Sequence, residues 1–420
     1  MTSNDFSERL AAFYTLERKG IKLGLQHTYE LLDLLNNPHK DLIMIHVAGT
    51  NGKGSTCAIL EAVLRLMGLN VGLYTSPHLI NFNERIRING EQISNQRIVQ
   101  FFDYATEFIN KINSTFFEAT TCMAFDYFKQ NNVDIVIVET GLGGRLDSTN
   151  VIMPVLTIIT SISMDHMNIL GLDLKSIAKE KAGIIKKEIP VIVSHQKEEV
   201  NQILFEKAKK QNSPVINLKP ISEIIISEQG TNFNYENNLF STSLIGEHQA
   251  QNAALCIEAL KLIKPNITDN MIRKGLSSVI WPGRMHKIAN GLYYDVAHNE
   301  SGVQYLLDTL KKIYPNKELV GLLGMKGDKD LRWLSNIVSS QFLKLYITTD
   351  QEKLLLNEQE LSNNLDDFGL RQQVVNSVAD GISKLQNYID DGCIGIIFGS
   401  HYFAKEIFQN FEIPFDSIHN

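Results

Sequence analysis

The sequence has few cysteines and no long apolar run, and these two absences exclude several classes of protein. Only four cysteines occur among 420 residues, and they are scattered without a CxxC pair. This usage argues against a disulfide framework or a zinc site and fits a reducing compartment, so we expect a cytoplasmic protein. No uninterrupted apolar stretch is long enough to cross a bilayer, and residues 1–20 lack the shape of a signal peptide.

An excess of positive charge is also missing. The formal net charge is −7, which argues against a general nucleic-acid binder. An acidic ligand must then be attracted by local cations or a metal ion. A unit charge pair at about 4 Å contributes about 4 kcal/mol near a protein surface, so a few such groups suffice. The length exceeds what one ordinary core accommodates, and two domains are expected.

What is present is a pattern typical of a phosphate-binding loop. An apolar run over residues 42–48 is followed by residues 49–56 (GTNGKGST) and then by apolar residues at helical spacing. In such a loop the backbone N–H groups, the helix N-terminus and the lysine together bind phosphate. Gly54 stands where the strict GxxxxGK[ST] pattern has a hydroxyl, although Ser55 or Thr56 could still place one on a bound magnesium ion. We predict a nucleotide loop rather than a glycine-rich turn with an exposed lysine.

The N-terminal part of the chain has the pattern of a doubly wound parallel sheet. Apolar runs near residues 71–74, 134–139 and 155–161 alternate with helical patterns over 99–112 and 120–129. In such sheets ligands bind outside the carboxyl ends of the strands. Glu139 and His166 are both predicted there. Glu139 resembles the magnesium-binding acid of a Walker B strand and precedes a glycine-rich run, which favours it over a surface carboxylate. His166 fits a metal ligand and an ordinary hydrogen-bonded histidine equally well.

The second half changes its periodicity twice. Alternation over residues 214–244 predicts a small antiparallel appendage, and residues 281–284 (WPGR) are the predicted hinge. The βα pattern then restarts, with strands near 292–296, 319–323, 343–348 and 394–398. We therefore predict an N-terminal P-loop ATPase domain with a doubly wound parallel sheet over residues 1–286, and a smaller C-terminal Rossmann-like α/β domain over residues 290–420. Charged groups near the hinge, expected to close over a ligand held by the other domain, are Arg284, Asp295 and His298.

Lys181 occupies an unusual position in the helical pattern of residues 172–187. It falls on the apolar stripe, four residues from Ile177 and four from Ile185. Full burial would lower the pKa of its amine, and a neutral amine can react with carbon dioxide to form a carbamate that binds magnesium. From the sequence alone the favoured alternative is a lysine whose amine reaches water past its apolar neighbours.

Taken together, several stretches resemble the Mur ligase superfamily and, within it, the folylpolyglutamate synthase / dihydrofolate synthase family. The resemblance lies in residues 49–56, in 76–87 (SPHLINFNERIR) and in 139–150 (ETGLGGRLDSTN), and continues through 180–186 (EKAGIIK) and 295–299 (DVAHN). It implies an ATP-dependent amide ligase. Transfer of the γ-phosphoryl group would convert a substrate carboxylate into an acyl phosphate, which the amino group of L-glutamate would then attack.

The resemblance also implies roles for individual residues. The residues that would bind ATP are Thr50, Asn51, Gly52, Lys53, Gly54, Ser55, Asn252, Arg284, Asp295 and His298. Those that would bind two magnesium ions are Ser76, Glu139, His166 and carbamylated Lys181. Those that would hold the pterin or folate are Leu23, Gly24, Leu25, Phe82, Phe116, Leu146, Asp147 and Ser148. Catalysis would rest on Lys53, Glu139, His166 and Lys181, and a monovalent cation is a further cofactor to test.

Two activities and several alternatives follow. Because residues 23–25 and 146–148 match segments of bifunctional members, we expect glutamate addition both to dihydropteroate and to reduced folates, by a monomer without nucleic-acid or membrane partners. Polyglutamate synthesis alone is the first alternative. A peptidoglycan-precursor ligase is not expected to have the SPHL…NERI stretch, and a GTPase switch would need an NKxD segment that the sequence lacks. A non-enzymatic nucleotide-binding module is the last alternative.

Overall fold

The computed structural model describes residues 9–11, 13–14, 16, 24–327, 331–338, 340–366 and 372–414. These residues form two compact units. The first comprises the described residues up to Ser163 together with 167–220 and 251–276, and the second comprises 164–166, 221–250 and the described residues from Ser277 onward. The domain boundary between residues 286 and 290 stays a prediction from the sequence.

The first unit is built on an eight-stranded sheet with the order β4-β3-β2-β5-β1-β6-β7-β8. From β2 to β8 the neighbouring strands are parallel, while β3 and β4 add an antiparallel edge. The central strands are buried throughout, because strands covered on both faces need continuous apolar residues. The strands are β1 Met44–Ala48, β2 Val71–Tyr74, β3 Ile86–Ile88, β4 Glu91–Gln92, β5 Ile135–Glu139, β6 Leu156–Ile159, β7 Val191–Val193 and β8 Val215–Asn217.

Helices connect these strands, and their ends follow local capping. The helices are Gln26–Leu34, Lys53–Leu66, Asn95–Ile112, Phe116–Gln130, Met167–Leu170, Leu174–Ala182, Glu198–Lys210 and Asp269–Ser278, with short 3-10 helices at Pro38–Asp41, Phe82–Arg85 and Ser148–Val151. The helix with Lys181 ends at Ala182, earlier than predicted. Gly183 follows it and lies so close to Arg145 that a Cβ there would be 2.3 Å from the Arg145 Cα.

The second unit contains a three-stranded antiparallel sheet and a six-stranded mixed sheet. The first has the order β11-β10-β9 and the second the order β12-β13-β17-β14-β15-β16, in which only β12 is antiparallel to its neighbour. Their strands are β9 Ile221–Ser227, β10 Gly230–Tyr235, β11 Asn238–Thr242, β12 His286–Ala289, β13 Leu292–Asp295, β14 Leu319–Leu323, β15 Phe342–Ile347, β16 Gln372–Val374 and β17 Ile394–Phe398.

The helices of this unit are Glu300–Ile313, Arg332–Val338, Glu358–Asp366, Val378–Asp390 and Ala404–Asn410, with a 3-10 helix at His401–Phe403, while Glu247–Ile263 begins in this unit and continues in the first. The predicted α/β class, with a parallel sheet in the N-terminal part and a second α/β sheet after it, is confirmed. In the described part of the chain, no helix is both long and apolar enough to span a membrane.

Candidate active site

The loop between β1 and the helix Lys53–Leu66 requires glycine at two positions. Gly52 has a φ of +90°, and a Cβ there would lie 2.4 Å from the Asn252 Oδ1. At Gly49 a Cβ would lie 1.8 Å from the Thr160 Oγ1. A larger residue at either position would displace these side chains. The backbone can therefore approach Asn252 and Thr160 this closely only because both positions are glycine. The predicted role of Asn252 in binding ATP stays a prediction, but its side chain does lie against the loop.

The segment after β6 holds this loop in place. The Thr50 hydroxyl donates to the Ser163 carbonyl at 3.0 Å and accepts from the Ser163 N–H at 3.1 Å. The Thr160 hydroxyl donates to the Asn51 carbonyl at 2.8 Å. These contacts tie the loop to the segment that follows the neighbouring strand β6. The sequence did not identify Thr160 as a partner of the phosphate loop, because no local pattern around it indicates a contact with Asn51, 109 residues earlier in the chain.

The first turn of the following helix leaves polar groups unsatisfied. Gly52 precedes the helix and offers no side chain to cap its N–H groups. The Ser55 Oγ and the Thr56 Oγ1 are buried, and neither meets a hydrogen-bond partner in the part of the chain that the structure describes. Unsatisfied N–H and hydroxyl groups at a helix N-terminus suit a phosphate. The arrangement therefore fits the predicted nucleotide loop.

Lys53 and Glu139 lie at the carboxyl ends of two neighbouring strands. The Lys53 Nζ donates to the carbonyls of Gly49 and Thr50, each at 3.2 Å, and is 4.0 Å from the Glu139 Oε1. Glu139 is the last residue of β5 and is 4% exposed. Its Oε2 accepts the Ser76 N–H at 3.3 Å. The structure thus brings together three of the predicted site residues, as parallel pairing of β1 and β5 requires.

Lys181 is buried against the same loop. It is 4% exposed, and its Nζ donates to the Gly49 carbonyl at 2.7 Å. The alternative favoured from the sequence, an amine that reaches water, is therefore wrong. The physical reason is that residues 141–145 pack on this helix so closely that a Cβ at Gly144 would lie 2.9 Å from the Glu180 carbonyl oxygen.

His166 does not occupy the position that was predicted for it. It lies in the loop after β6, which ends at Ile159, and has a φ of +48° and an exposed side chain. Placement at a strand end is therefore wrong. The residue is grouped with the second unit, whereas Glu139 and Ser76 belong to the first. Among the described residues no group of three or more His, Cys, Asp or Glu side chains is placed to hold a metal ion.

The predicted pterin-binding residues fall into different environments. Leu23 lies outside the described residues, and Gly24 and Leu25 directly precede the helix Gln26–Leu34. Phe82 and Phe116 pack edge to face in the core at 5.8 Å and are 2% and 6% exposed. The neighbouring Phe117 is more exposed, and its ring lies 2.4 Å from where a Cβ would stand on Gly141. Of the aromatic pair, Phe117 thus faces the glycine-rich loop after β5.

Asp147 organises that loop. Its side chain is 5% exposed, and its carboxylate accepts the N–H of Leu142 at 2.7 Å and the N–H of Thr149 at 3.0 Å. Burial raises the pKa of Asp147, and these hydrogen bonds oppose the rise. Ser148 begins the 3-10 helix and is buried, while Leu146 is half-buried. The predicted contact of residues 146–148 with a pterin stays a prediction.

In the second unit Asp295 holds the backbone around it. It ends β13, is 8% exposed, and accepts the N–H groups of Met285 at 2.7 Å and Ala297 at 2.8 Å. Burial raises the pKa of Asp295, and the charge of Arg284 opposes the rise. The His298 Nε2 is 3.6 Å from the Asp165 Oδ2. The structure thus brings Arg284 and Asp295 together and places His298 beside Asp165.

Two family models match this chain. The Mur ligase middle domain matches residues 47–260, and the Mur ligase glutamate ligase domain matches residues 283–401. The chain belongs to the Mur ligase family. Within this ligase family it is 41% identical over 331 residues to the dihydrofolate synthase/folylpolyglutamate synthase of Bacillus subtilis, covering 74% of this chain and 77% of that protein. The predicted resemblance to that branch is confirmed.

Solved structures of this branch of the Mur ligases have the same fold. The folylpolyglutamate synthase of Mycobacterium tuberculosis complexed with ADP and AMPPCP superposes with a TM-score of 0.91 at 28% identity, covering 98% of this chain and 99% of that one. E. coli FolC in complex with DHPP and ADP superposes with a TM-score of 0.85 at 29% identity, covering 96% and 97% of the two chains. The predicted enzyme class, a ligase, is confirmed by this membership.

One residue of this ligase that sequence reasoning missed is Glu84. It is buried and accepts hydrogen bonds from three successive backbone N–H groups. Its spacing from Asn81 is that of a capping box, with a polar side chain followed three residues later by a glutamate. That signal was present in the sequence, but it predicts only the start of a helical turn and not a buried carboxylate.

Proposed function

We propose that this protein is an ATP-dependent ligase that adds L-glutamate to dihydropteroate and to reduced folates through an acyl phosphate. The observation that supports this best is the meeting of the phosphate loop, Lys53, Glu139 and Ser76 at adjacent strand ends in a member of this family. The Bacillus subtilis relative bears the names of both activities. E. coli FolC, which shares the fold, was solved in complex with DHPP and ADP.

The residues of the phosphate loop would bind and orient ATP. The N–H groups of the first helical turn and the unsatisfied hydroxyls of Ser55 and Thr56 lie at the N-terminal end of the helix, where a phosphate gains most from the helix dipole. Lys53 would stabilise the charge that develops on the transferred phosphoryl group, which is the main catalytic resource in this chemistry. The contributions of Asn252, Arg284 and His298 to nucleotide binding are further parts of this proposal. A contact of Asp295 with the nucleotide stays a prediction from the resemblance.

The donor set suits a hard cation. The Glu139 carboxylate accepts the backbone N–H of Ser76, so this acid lies next to a residue with a hydroxyl group, and oxygen ligands are those that magnesium prefers. We propose that Ser76, Glu139 and Lys181, the last as a carbamate, would hold magnesium. A role for His166 as a further ligand stays a prediction from the resemblance. When bound, magnesium neutralises charge on the phosphate oxygens. The number of ions, two, and a monovalent cation stay predictions from the resemblance.

We propose that Lys181 would serve as a carbamate. Its amine, once it has lost one proton and is neutral, would attack the carbon of carbon dioxide and lose a second proton from nitrogen. The cationic side chain would thereby become an anionic carbamate, with two protons released in all. The burial of Lys181 and its contact with the Gly49 carbonyl support this, because they place the amine in the interior beside the phosphate loop. A carbamate there would offer oxygen ligands where the unmodified amine offers only N–H donors.

The choice between the two acceptor substrates depends on the pocket and not on the catalytic groups. Dihydropteroate and a reduced folate both present a carboxylate that ATP must activate. The rings of the shorter substrate must lie deeper by the length of one glutamate. The loop of residues 141–148 and the half-buried ring of Phe117, which lies against that loop, are the surfaces that would hold the rings. Folylpolyglutamate synthesis alone is the alternative, and the Mycobacterium tuberculosis protein is named for that activity alone.

The test is a side-by-side assay of the purified protein with ATP, magnesium and L-glutamate. Dihydropteroate, tetrahydrofolate and a muramyl precursor are supplied in turn, and phosphate release and product mass are both measured. We expect products from the first two. Product from tetrahydrofolate alone would reduce the proposal to a polyglutamate synthase, and product from the muramyl precursor alone would overturn it. Lys53→Ala should abolish product, and the exposed Lys187→Ala should leave it unchanged.

A further inference from the structure

The segment that follows β2 is folded around one of its own carboxylates. Glu84 is 4% exposed. Its Oε2 accepts the N–H of Leu79 at 2.8 Å, and its Oε1 accepts the N–H groups of Ile80, at 2.8 Å, and Asn81. Successive N–H groups that converge in this way form an anion-binding concavity. Here the anion is supplied by the chain itself, so the concavity is filled in the folded protein.

Further contacts close this segment into a compact loop. At its base the Thr75 N–H donates to the Arg85 carbonyl at 3.0 Å. Next to that base the Ser76 N–H donates to the Glu139 carboxylate at 3.3 Å. The three N–H groups that donate to Glu84 belong to residues 79–81, which lie along the chain between Ser76 and Arg85. The position of Ser76 beside Glu139 therefore depends on the path that residues 77–84 take.

Charge around Glu84 is balanced by a second buried group. Arg87 on β3 is 5% exposed, and its charge favours the ionised form of Glu84. Burial alone raises the pKa of Glu84, and the three N–H groups and Arg87 oppose the rise. Arg87 also interacts with Glu61, on the helix that begins at the phosphate loop. An ionised carboxylate at this position is thus supported from two sides.

We infer that Glu84 is a positioning residue of the proposed ligase. Its carboxylate holds residues 75–85 in the path that places Ser76 beside Glu139, and it touches no reactant itself. This inference rests on the proposed function, because Ser76 and Glu139 matter to turnover only if they serve phosphoryl transfer. A glutamine at this position keeps the shape of the side chain but has one oxygen. Its amide group would face at least one of the three N–H donors with a donor of its own.

The test compares Glu84→Gln with two matched variants. Glu91→Gln makes the same change of charge at an exposed position on β4. Asn83→Ala removes the side chain that anchors the outer face of the same turn, through its Nδ2 to the Ile93 carbonyl at 2.6 Å and the Asn95 Oδ1 at 2.8 Å. For each variant five quantities are measured: amide hydrogen exchange of residues 75–85, the Kd for ADP, kcat and KM for the folate substrate, and the unfolding temperature.

We expect Glu84→Gln to exchange faster at residues 79–81 and to lose about 10²-fold in kcat, since misplacement by about 1 Å costs that much. ADP affinity should stay within about twofold, because the phosphate loop is untouched. Glu91→Gln should behave as the parent protein does. Asn83→Ala should lower the unfolding temperature with a smaller loss of kcat.

The inference is overturned if Glu84→Gln keeps its kcat within about twofold. It is also overturned if ADP affinity and kcat of Glu84→Gln fall together, each in proportion to the fraction of folded protein. That result is expected of a residue with a purely structural role, and Asn83→Ala supplies the reference for it. A parent protein that makes no ligation product with either substrate overturns the proposed function and the positioning role together. Hydrogen exchange in Glu84→Gln then still decides separately whether the carboxylate holds the segment.

Discussion

Two acidic residues end parallel strands in this molecule, and their surroundings differ. Glu139 ends β5 in the first unit and Asp295 ends β13 in the second, and they are 4% and 8% exposed. Asp295 accepts two short hydrogen bonds, at 2.7 and 2.8 Å, from backbone close to it along the chain. Glu139 instead contacts Ser76 and Lys53, which follow other strands, at 3.3 and 4.0 Å.

The comparison shows that a carboxylate at a strand end can have two uses. Asp295 ties together its own hairpin, so its burial is explained by the local fold. Glu139 instead links three separate segments of the chain, and these are the segments expected to handle phosphate. The partners of a buried acid, rather than its position at the end of a strand, therefore distinguish a structural group from a candidate catalytic one.

The strongest test of this difference is the isosteric change Glu139→Gln. Removing the charge should lower kcat for glutamate ligation by about 10²–10³-fold, because electrostatic stabilisation dominates in phosphoryl transfer. The unfolding midpoint should change little, since the shape of the side chain is kept. The exposed Glu188→Gln serves as the charge-matched control. If Glu139→Gln turns over nearly as fast as the parent protein, Glu139 takes no part in the mechanism. The distinction between Glu139 as a catalytic carboxylate and Asp295 as a structural one would then be wrong.

Lys181→Ala extends the comparison to Lys181, whose side chain is buried beside Gly49. Loss of the proposed carbamate should lower kcat by about 10²-fold. Short carboxylic acids should restore part of the activity, because their carboxylate can enter the space that the side chain leaves. Lys179→Ala, at an exposed position on the same helix, is the control and should be unaffected. A parent protein that shows no carbamate signal by NMR in ¹³C-bicarbonate, together with no rescue of the variant, would exclude the modification.

Much of this fold could be predicted because buried parallel strands have a continuous apolar pattern. The predicted bounds of β2, β14 and β17 coincide with those observed. Two helix starts were placed four residues too late, because the apolar pattern alone was followed. The structure begins these helices at Asn95 and Phe116, directly after the side-chain caps Ser94 and Thr115.

The site was predictable only where topology alone decides it. The meeting of Lys53 and Glu139 follows from the rule that parallel strands present their carboxyl ends at one edge. The burial of Lys181 could not be predicted in the same way. Its environment is set by Gly49 and by the loop around Gly144, both distant in sequence. Glu84 was missed for a related reason, since a capping pattern gives no sign of how deeply its carboxylate is buried.

Asp295→Asn tests the structural side of the comparison. The amide group would face one of the two backbone N–H donors with a donor of its own, so the second unit should lose about 1–3 kcal/mol of stability. Both tryptophans, Trp281 and Trp333, belong to this unit, and their fluorescence during urea unfolding follows it directly. An unchanged midpoint together with lost ATP affinity would instead place Asp295 on the nucleotide, as the sequence resemblance implies.

A buried histidine gives the mildest test, and its hydrogen bonds show that its Nε2 carries a proton. His46 on β1 is fully buried, and its Nε2 is 2.8 Å from the Thr149 Oγ1. That hydroxyl donates to Asp147, so the Nε2 must donate to it. The Nδ1 meets no hydrogen-bond partner in the described part of the chain. Burial, with a smaller effect from Lys186, lowers the pKa of His46 to about 3.

The pKa of His46 in the folded protein lies below the unfolded value of about 6.5. Between these two values the histidine is protonated in the unfolded chain and neutral in the folded one. The stability contributed by neutral His46 is therefore complete above about pH 6.5 and is lost as the pH falls toward 3. In His46→Gln this loss should disappear. The fall in unfolding free energy between pH 7 and pH 5.5, followed by circular dichroism in urea, should be smaller by about 1 kcal/mol. The tryptophan transition of the second unit, where burial lowers the pKa of His248 to about 4, should keep its pH dependence. If His46→Gln and the parent protein show the same pH dependence of the unfolding free energy in both transitions, His46 titrates normally in the folded protein.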